Sequence, residues 1–483
     1  MSRAMRLALA IACIACAVHA EASQYGARAP VSRRAGPDFA ADVGTTPTSS
    51  PTISSSSYDN PRLRAYTWGI GGDRVGRPSR PSALPPGPIE LDAALGNVVA
   101  VAASGHTAFI LEDGSLYTAG RNASDGGGGR GSPPIADAGQ IGRDGPLGAP
   151  GRVLGALRDE RATSVGCGRY HTVVSTESGR VYSFGLNDRG QLGTKGVMGH
   201  VPDSSSCTCD SGMNCDCSEG AEGETPLAPG EACDRGAACR SGVPVHVDVW
   251  GEKINSVAAG RYTSAAVSEK GEVFVWGLNA CAGAGNLRDE LLTNVKSANQ
   301  PRKILGITDV VKVDIGYVAM IFLTSKGEVY TCYTGFDGYA GANADASAST
   351  ALKKYAVFSS GTGASDVATG RCHFVASTTA GKVYTWGCPN ALGRTYGDNH
   401  EPTSLSVDMS REFVVSVSAG EYFTLMLTRD GTIYGTGDSN SGQLGAKIAG
   451  SKFKTPIRLA SSPPRVLAVT AGYQHAAAIA RNV

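Results

Sequence analysis

Short apolar runs, each closed by a glycine-containing turn, recur along most of this chain, and helical periodicities are few. The run Ala319-Met320-Ile321-Phe322-Leu323 is apolar at every position. A strand with one face in water alternates, whereas a strand covered on both faces need not. The expected elements are therefore short strands and tight turns, in sheets that need a neighbour on each side to bury their faces.

The pattern is a repeat. Ser164-Val165-Gly166-Cys167-Gly168-Arg169-Tyr170-His171-Thr172 is echoed by Ser256-Val257-Ala258-Ala259-Gly260-Arg261-Tyr262-Thr263-Ser264. After each comes a strand, a glycine turn and a second strand. The turn glycines are Gly114, Gly179, Gly271, Gly327, Gly381 and Gly431, where a short hairpin needs a positive φ. Three residues on stands an aromatic: Tyr117, Tyr182, Phe274, Tyr330, Tyr384 or Tyr434. Six residues on stands another glycine in all copies but the fourth, which has Tyr333. Eleven residues before the turn lie Gly168, Gly260, Gly316, Gly370 and Gly420, with Ala103 in the first copy. Successive turn glycines are 65, 92, 56, 54 and 50 residues apart, a blade-sized period with a long insertion in the second interval.

The two ends complement each other. His475 stands where His171 does, eight residues before a turn glycine, and eight residues after it the chain ends at Val483. Tyr66-Thr67-Trp68-Gly69 matches Tyr384-Thr385-Trp386-Gly387 and supplies the missing half. A linear array has no use for two half-repeats, whereas a ring uses them to remove its edges. Six internal turns plus one shared blade predict an all-β, seven-bladed β-propeller over residues 63–483, with a Cys-rich insertion at 194–242.

The clearest copy reads Gly-x-x-His-Thr, then Gly-x-Val-Tyr-x-x-Gly-x-Asn-x-x-Gly-Gln-Leu-Gly, from Gly168 to Gly193; Gly442-Gln443-Leu444-Gly445 repeats its ending. This resembles the regulator-of-chromosome-condensation repeat, over residues 63–483 apart from insertions. The resemblance implies a propeller. It also implies one functional alternative, guanine-nucleotide exchange on a small GTPase, as in the founding member. The plant ultraviolet-B photoreceptor of the same family carries Trp after the first glycine of its repeats. Here the chain has Arg, Tyr or Glu at those positions and four Trp in all, which excludes light sensing.

The N-terminus bears on compartment. Arg3 and Arg6 precede the apolar run Leu7–Val18, which ends in Val18-His19-Ala20. This reads as a secretory signal peptide over residues 1–20, cut after Ala20; an organelle transit peptide is the alternative. Residues 21–62 are rich in Ser, Pro and Thr and read as a disordered leader. No other stretch is apolar enough to span a bilayer. The formal charge is +1, and without residues 1–20 it is −1, from 42 basic and 43 acidic residues. Such a balance lacks the basic excess of a nucleic-acid binder and offers no support for an acidic ligand.

Candidate chemistry is sparse. His106, His171, His373 and His475 share one repeat position; Thr263, Ala319 and Phe423 hold it elsewhere. Copies of one position are spread around a ring, so these read as hydrogen-bonded structural imidazoles rather than metal ligands. Cys207, Cys209, Cys215, Cys217, Cys233 and Cys239 lie in the insertion. Their spacing also fits zinc, but the even count, the Gly/Ser/Asp-rich surroundings and the signal peptide favour up to three disulfides. Cys372 and Cys388 flank Gly381 and are placed to face each other across adjacent strands, whereas Cys167, Cys281 and Cys332 have no obvious partner. Asn122-Ala123-Ser124 is a glycosylation sequon. No nucleophile-elbow or zinc-protease motif occurs, and the expectation is no cofactor, no metal and no catalysis.

One set remains. Arg169, Tyr170, Arg261, Tyr262, Tyr317, Arg371, Glu421, Tyr422 and Tyr473 follow the repeat's first glycine, in the turn between two strands. All should project near one face of the disc, and Tyr and Arg are enriched at binding hot spots; packing between blades would explain the pattern equally well. The expectation is a secreted, monomeric, non-catalytic propeller that binds an unidentified protein on this face.

Overall fold

The computed structural model describes residues 62–481 apart from 71–74, 78–82, 90, 92–95, 124–137, 188–189, 195–205, 210–214, 219–239, 279–296, 318, 334–351, 360–362, 406–408 and 446–451. Among the described residues the chain forms seven four-stranded antiparallel sheets and one separate hairpin. The innermost strands of the first to seventh blades are Val98–Ala103, Ala162–Cys167, Ile254–Ala259, Val310–Ile315, Ala364–Thr369, Val414–Ala419 and Val466–Ala471. The second strands are His106–Leu111, His171–Thr176, Thr263–Ser268, Ala319–Thr324, His373–Thr378, Phe423–Thr428 and His475–Arg481.

The second strands carry the core. All six residues of Ala319–Thr324 are buried, as the unbroken apolar run requires. Polar residues in the same position of other blades, such as Thr172 and Ser264, are buried as well, because each sheet is covered on both faces. The apolar clusters run between blades: Val267 and Val273 of the third pack with Met320 and Phe322 of the fourth. The six turn glycines adopt φ between +75° and +86°, as a short hairpin demands.

The seventh blade is shared by the two ends. Leu63–Ile70 pairs antiparallel with His475–Arg481, in a register running from Leu63 opposite Arg481 to Gly69 opposite His475. Ala83–Pro88 forms its outer edge, the one place where a sheet tolerates repeated prolines. Trp68 is fully buried against Leu425 and Ala476 in the cluster joining the sixth and seventh blades, and its Nε1 donates to the Gln443 carbonyl at 2.9 Å.

Three details depart from the sequence reading. The first blade's inner turn is one residue shorter. There Ser104 N donates to His106 O, whereas Gly168 N donates to His171 O, so Ser104 rather than Ala103 holds the glycine position. Cys332, for which the sequence offers no partner, is disulfide-bonded. Gly76-Arg77, Gly142-Arg143 and Gly393-Arg394 form a further repeat element. These arginines turn inward and donate to the carbonyls of Thr67, Thr118 and Thr385, equivalent positions of the third strands.

Cys372 and Cys388 are bonded, with Cα atoms 5.5 Å apart. They occupy the ladder position held by Tyr170 and Leu186 in the second blade, where Leu186 N donates to Tyr170 O as Cys388 N does to Cys372 O. In the insertion, Ser206–Cys209 pairs with Cys215–Ser218 and sets Cys207 opposite Cys217 and Cys209 opposite Cys215. The side chains of those four, and all of Cys233, Cys239 and Cys281, lie outside the described residues, as do residues 1–61.

Candidate protein-binding site

The inner turns meet at one end of a central channel of about 320 Å³, walled by the innermost strands of all seven blades. Adjacent turns are joined by backbone bonds. Arg169 N donates to Gly260 O, Tyr317 N to Gly370 O, Arg371 N to Glu421 O, and Tyr473 N to Ser104 O across the seam. This contact explains the repeat's first glycine. A methyl group at Gly370 would lie 2.2 Å from the His373 ring and 2.3 Å from the Gly420 carbonyl oxygen. The missing Cβ makes room for the next blade on one side and for the imidazole three residues on.

The histidines tie each blade to the next. The Nε2 of His106, His171, His373 and His475 meets Thr172, Ser264, Thr424 and Thr107 at 2.6, 2.8, 3.0 and 3.0 Å. Three of these hydroxyls themselves donate to carbonyls, of Gln140, Gln191 and Ala391. Each of those three imidazoles therefore donates from Nε2 as the neutral tautomer. Burial holds their pKa values far below the ordinary one, at about 3 for His106 and His171 and about 4 for His373. Where the next blade offers no hydroxyl the histidine is absent: Thr263 faces a blade with Met320, Ala319 one with Phe374, and Phe423 one with Ala476.

The turn side chains form a closed circuit around the mouth. The Arg371 guanidinium lies 4.6 Å from the Tyr317 ring, which the Arg261 guanidinium covers from 3.9 Å. Arg261 also lies 4.8 Å from Tyr262, whose ring is 5.7 Å from that of Tyr170. Arg169 lies 5.2 Å from Tyr170 and reaches across the short first-blade turn to Tyr473 at 4.1 Å. Burial first, and then the Glu421 carboxylate bonded to it, push the Tyr473 hydroxyl above its ordinary range. Glu421 closes the circuit on Arg371 at 2.7 Å, and Tyr422 flanks Arg371 at 5.2 Å.

All nine residues singled out from the sequence thus gather at one mouth, but they are not equally presented. Tyr170 and Tyr262 are 1% and 5% exposed and pack with Leu186, while Glu421 is 8% exposed. Arg169, Arg261, Tyr317, Arg371, Tyr422 and Tyr473 are half-buried. Asn122, the sequon asparagine, sits elsewhere. Its Oδ1 accepts from Ile141 N, as Asn187 Oδ1 accepts from Leu192 N at the equivalent place of the second blade. Sequence reading missed that Gly139-Gln140-Ile141-Gly142 is a third copy of the Gly-Gln-Leu-Gly ending. The three-residue spacing of its glycines was the available signal.

The regulator of chromosome condensation (RCC1) repeat matches residues 162–191, 254–282, 364–394 and 414–443 in one form and 178–207, 380–427 and 430–479 in a second. Mus musculus regulator of chromosome condensation is 28% identical over 292 residues, 59% of this chain and 49% of its own length. Homo sapiens probable E3 ubiquitin-protein ligase HERC6 is 26% identical over 320 residues, 64% of this chain and 26% of its own length. The chain therefore spans about half of the first and about a quarter of the second. Prp20p of Saccharomyces cerevisiae, whose structure was described with its binding to Gsp1p and histones, shares the fold at a TM-score of 0.64 and 17% identity, over 88% of this chain and 92% of that one. The chain thus carries regulator of chromosome condensation repeats and closes them into a ring of seven blades.

Proposed function

We propose that the chain is a secreted, non-catalytic propeller that binds a protein partner at the channel mouth. The observation that carries this reading is the closed circuit of arginines and tyrosines. It joins six of the seven inner turns into one half-buried, rigid surface. Rigid Tyr and Arg lose little side-chain entropy on docking and dominate binding energies elsewhere. The groups at the mouth do not suit proton transfer at neutral pH: the imidazoles are buried, and the Tyr473 hydroxyl is pushed upward. Secretion rests on the charged and apolar pattern of residues 1–20, and with it Asn122 becomes an N-glycan acceptor.

A second reading is regulation of a small GTPase, favoured by the likeness to regulator of chromosome condensation. One experiment separates the two. The native chain is recovered from medium and from cells, its N-terminus is read by mass spectrometry, and co-purifying proteins are compared for wild type and Arg169→Gln/Arg261→Gln. The expected result is a chain beginning at Glu21, recovered from medium, whose partner is lost from the double variant, each arginine contributing about 2 kcal/mol or more to binding. The double variant also loses four guanidinium–ring stacks, each contributing about 0.5–1 kcal/mol or more, so a thermal melt must show that it remains folded at the temperature of the assay. An intact Met1 on a nuclear chain that accelerates nucleotide release from a small GTPase would replace this reading with the second.

A further inference from the structure

The mouth has a charge that the whole chain does not. The chain carries +1, yet the inner turns alone bring Arg169, Arg261 and Arg371 together with a single acid, Glu421. Each guanidinium is flanked by two tyrosines: Arg169 by Tyr170 and Tyr473, Arg261 by Tyr262 and Tyr317, Arg371 by Tyr317 and Tyr422. A guanidinium carries five N–H groups in one plane, in a fork that matches a carboxylate, and two rings beside it do not neutralise its charge. The site contains its own example, since Arg371 holds the Glu421 carboxylate at 2.7 Å.

Below the mouth the channel region holds one lysine, Lys312, and two carboxyls, Asp366 and Asp314, both engaged by bonds within the wall. Lys312 is paired there with Asp366 at 2.5 Å. Asp314 accepts bonds from Thr369 N and Ile315 N, and burial pushes its carboxyl upward. The space of about 320 Å³ admits extended side chains rather than a folded element.

Resting on the docking face proposed above, we infer that the partner presents an acidic segment, whose Asp or Glu carboxylates are received by Arg169 and Arg261 at the channel mouth. A phosphate backbone suits this surface less well. It would need a basic track to neutralise successive phosphates, and a chain of net charge +1 with three arginines around a single opening does not provide one.

The test uses the full chain and fluorescein-labelled hexaglutamate, hexaglutamine and a hexamer of thymidylate, followed by fluorescence anisotropy at low salt and at about 0.3 M salt. Hexaglutamate should bind wild type and weaken about tenfold or more at the higher salt, while hexaglutamine should not bind. Arg169→Gln/Arg261→Gln should weaken it about tenfold or more. Arg169→Lys/Arg261→Lys, which keeps the charge but loses the fork, should fall between. Lys353→Gln, at an exposed pair with Glu401 on an outer strand, should match wild type. Thermal melts of each variant verify the fold. Equal binding of hexaglutamine, indifference to the double variant, or tighter binding of the thymidylate hexamer would overturn the inference. If the native partner still depends on both arginines while hexaglutamate does not bind, the acidic segment is wrong and the docking face stands. If neither depends on them, both fall.

Discussion

A chain ending at Arg465 is expected to lose cooperative unfolding and to be recovered mainly as aggregate. The deletion removes Val466–Ala471 and His475–Arg481, two of the four strands of the seventh blade. The strand Leu63–Ile70 then keeps only Ala83–Pro88, and its edge from Leu63 to Gly69 becomes a template for other chains. Val466, Val469 and Ile479 are lost from the core, and Leu425, Leu427 and Trp68 lose their cover. Burying one such side chain contributes about 1.5–3 kcal/mol, so a handful exceeds the roughly 5–15 kcal/mol that keeps a domain folded. The His475–Thr107 clasp and the bond from Tyr473 N to Ser104 O are lost at the same stroke. Size-exclusion chromatography and a thermal melt read the outcome. A soluble monomer with a single sharp transition at the wild-type temperature would contradict a closed ring.

Acidification below about pH 6.5 should destabilise the ring through its histidines. An unfolded histidine titrates near 6.5, whereas those of the folded chain stay neutral down to about 3 at His106 and His171 and about 4 at His373. Below pH 6.5 the unfolded chain therefore binds more protons. The stability these histidines contribute is complete about one pH unit above that value and falls as pH drops through the window towards 4. Each of these histidines should contribute a loss of about 1 kcal/mol by pH 5.5. The folded carboxyls held below their ordinary range, at Asp113, Glu160 and Asp430, take over only at lower pH. Phe423 occupies the histidine position in the sixth blade, with its ring against Gly420 as the His373 ring lies against Gly370. His373→Phe should therefore be accommodated, and should remove about one third of the slope that His106, His171 and His373 together supply between pH 7 and pH 5.5. Denaturant midpoints across that range test it. A variant with the wild-type slope would show that His373 is not buried neutral.

The ring was legible because closure leaves marks that local pattern can show. Turn glycines three residues ahead of an aromatic locate the hairpins, and Tyr66-Thr67-Trp68-Gly69 at one end completes His475 at the other. The nine residues of the mouth were legible as a set because one repeat position maps to one rim. Their unequal exposure was not. Tyr170 and Tyr262 are covered because their rings pack with each other and with Leu186 and Leu278 at the ends of the third strands, a relation between neighbouring blades. The histidine clasps were written in the chain all along, but only as a correlation between one blade's histidine and the following blade's next residue, as for His171 and Ser264. Reading copies in register, one repeat at a time, hides a rule that links consecutive repeats. The short first-blade turn was misjudged for a related reason. A fixed spacing from Gly114 selects Ala103, and only the bond from Ser104 N to His106 O reveals the missing residue. That deletion matters to the site, because a turn of Ser104 and Gly105 leaves Arg169 a clear path to Tyr473.

Docking at the channel mouth is tested most directly by photocrosslinking. A benzophenone amino acid replaces Tyr422, half-buried beside Arg371 at the mouth, or Trp250, 64% exposed just before the innermost strand of the third blade, at the end of the blades away from the mouth. The two proteins are irradiated in medium and in cell fractions from the native source, and the adducts are identified by mass spectrometry. The account predicts one protein joined through position 422 and not through position 250, its attached peptide rich in Asp and Glu. The same protein captured only through position 250, with position 422 unreactive, would place the interface on the opposite face and contradict it.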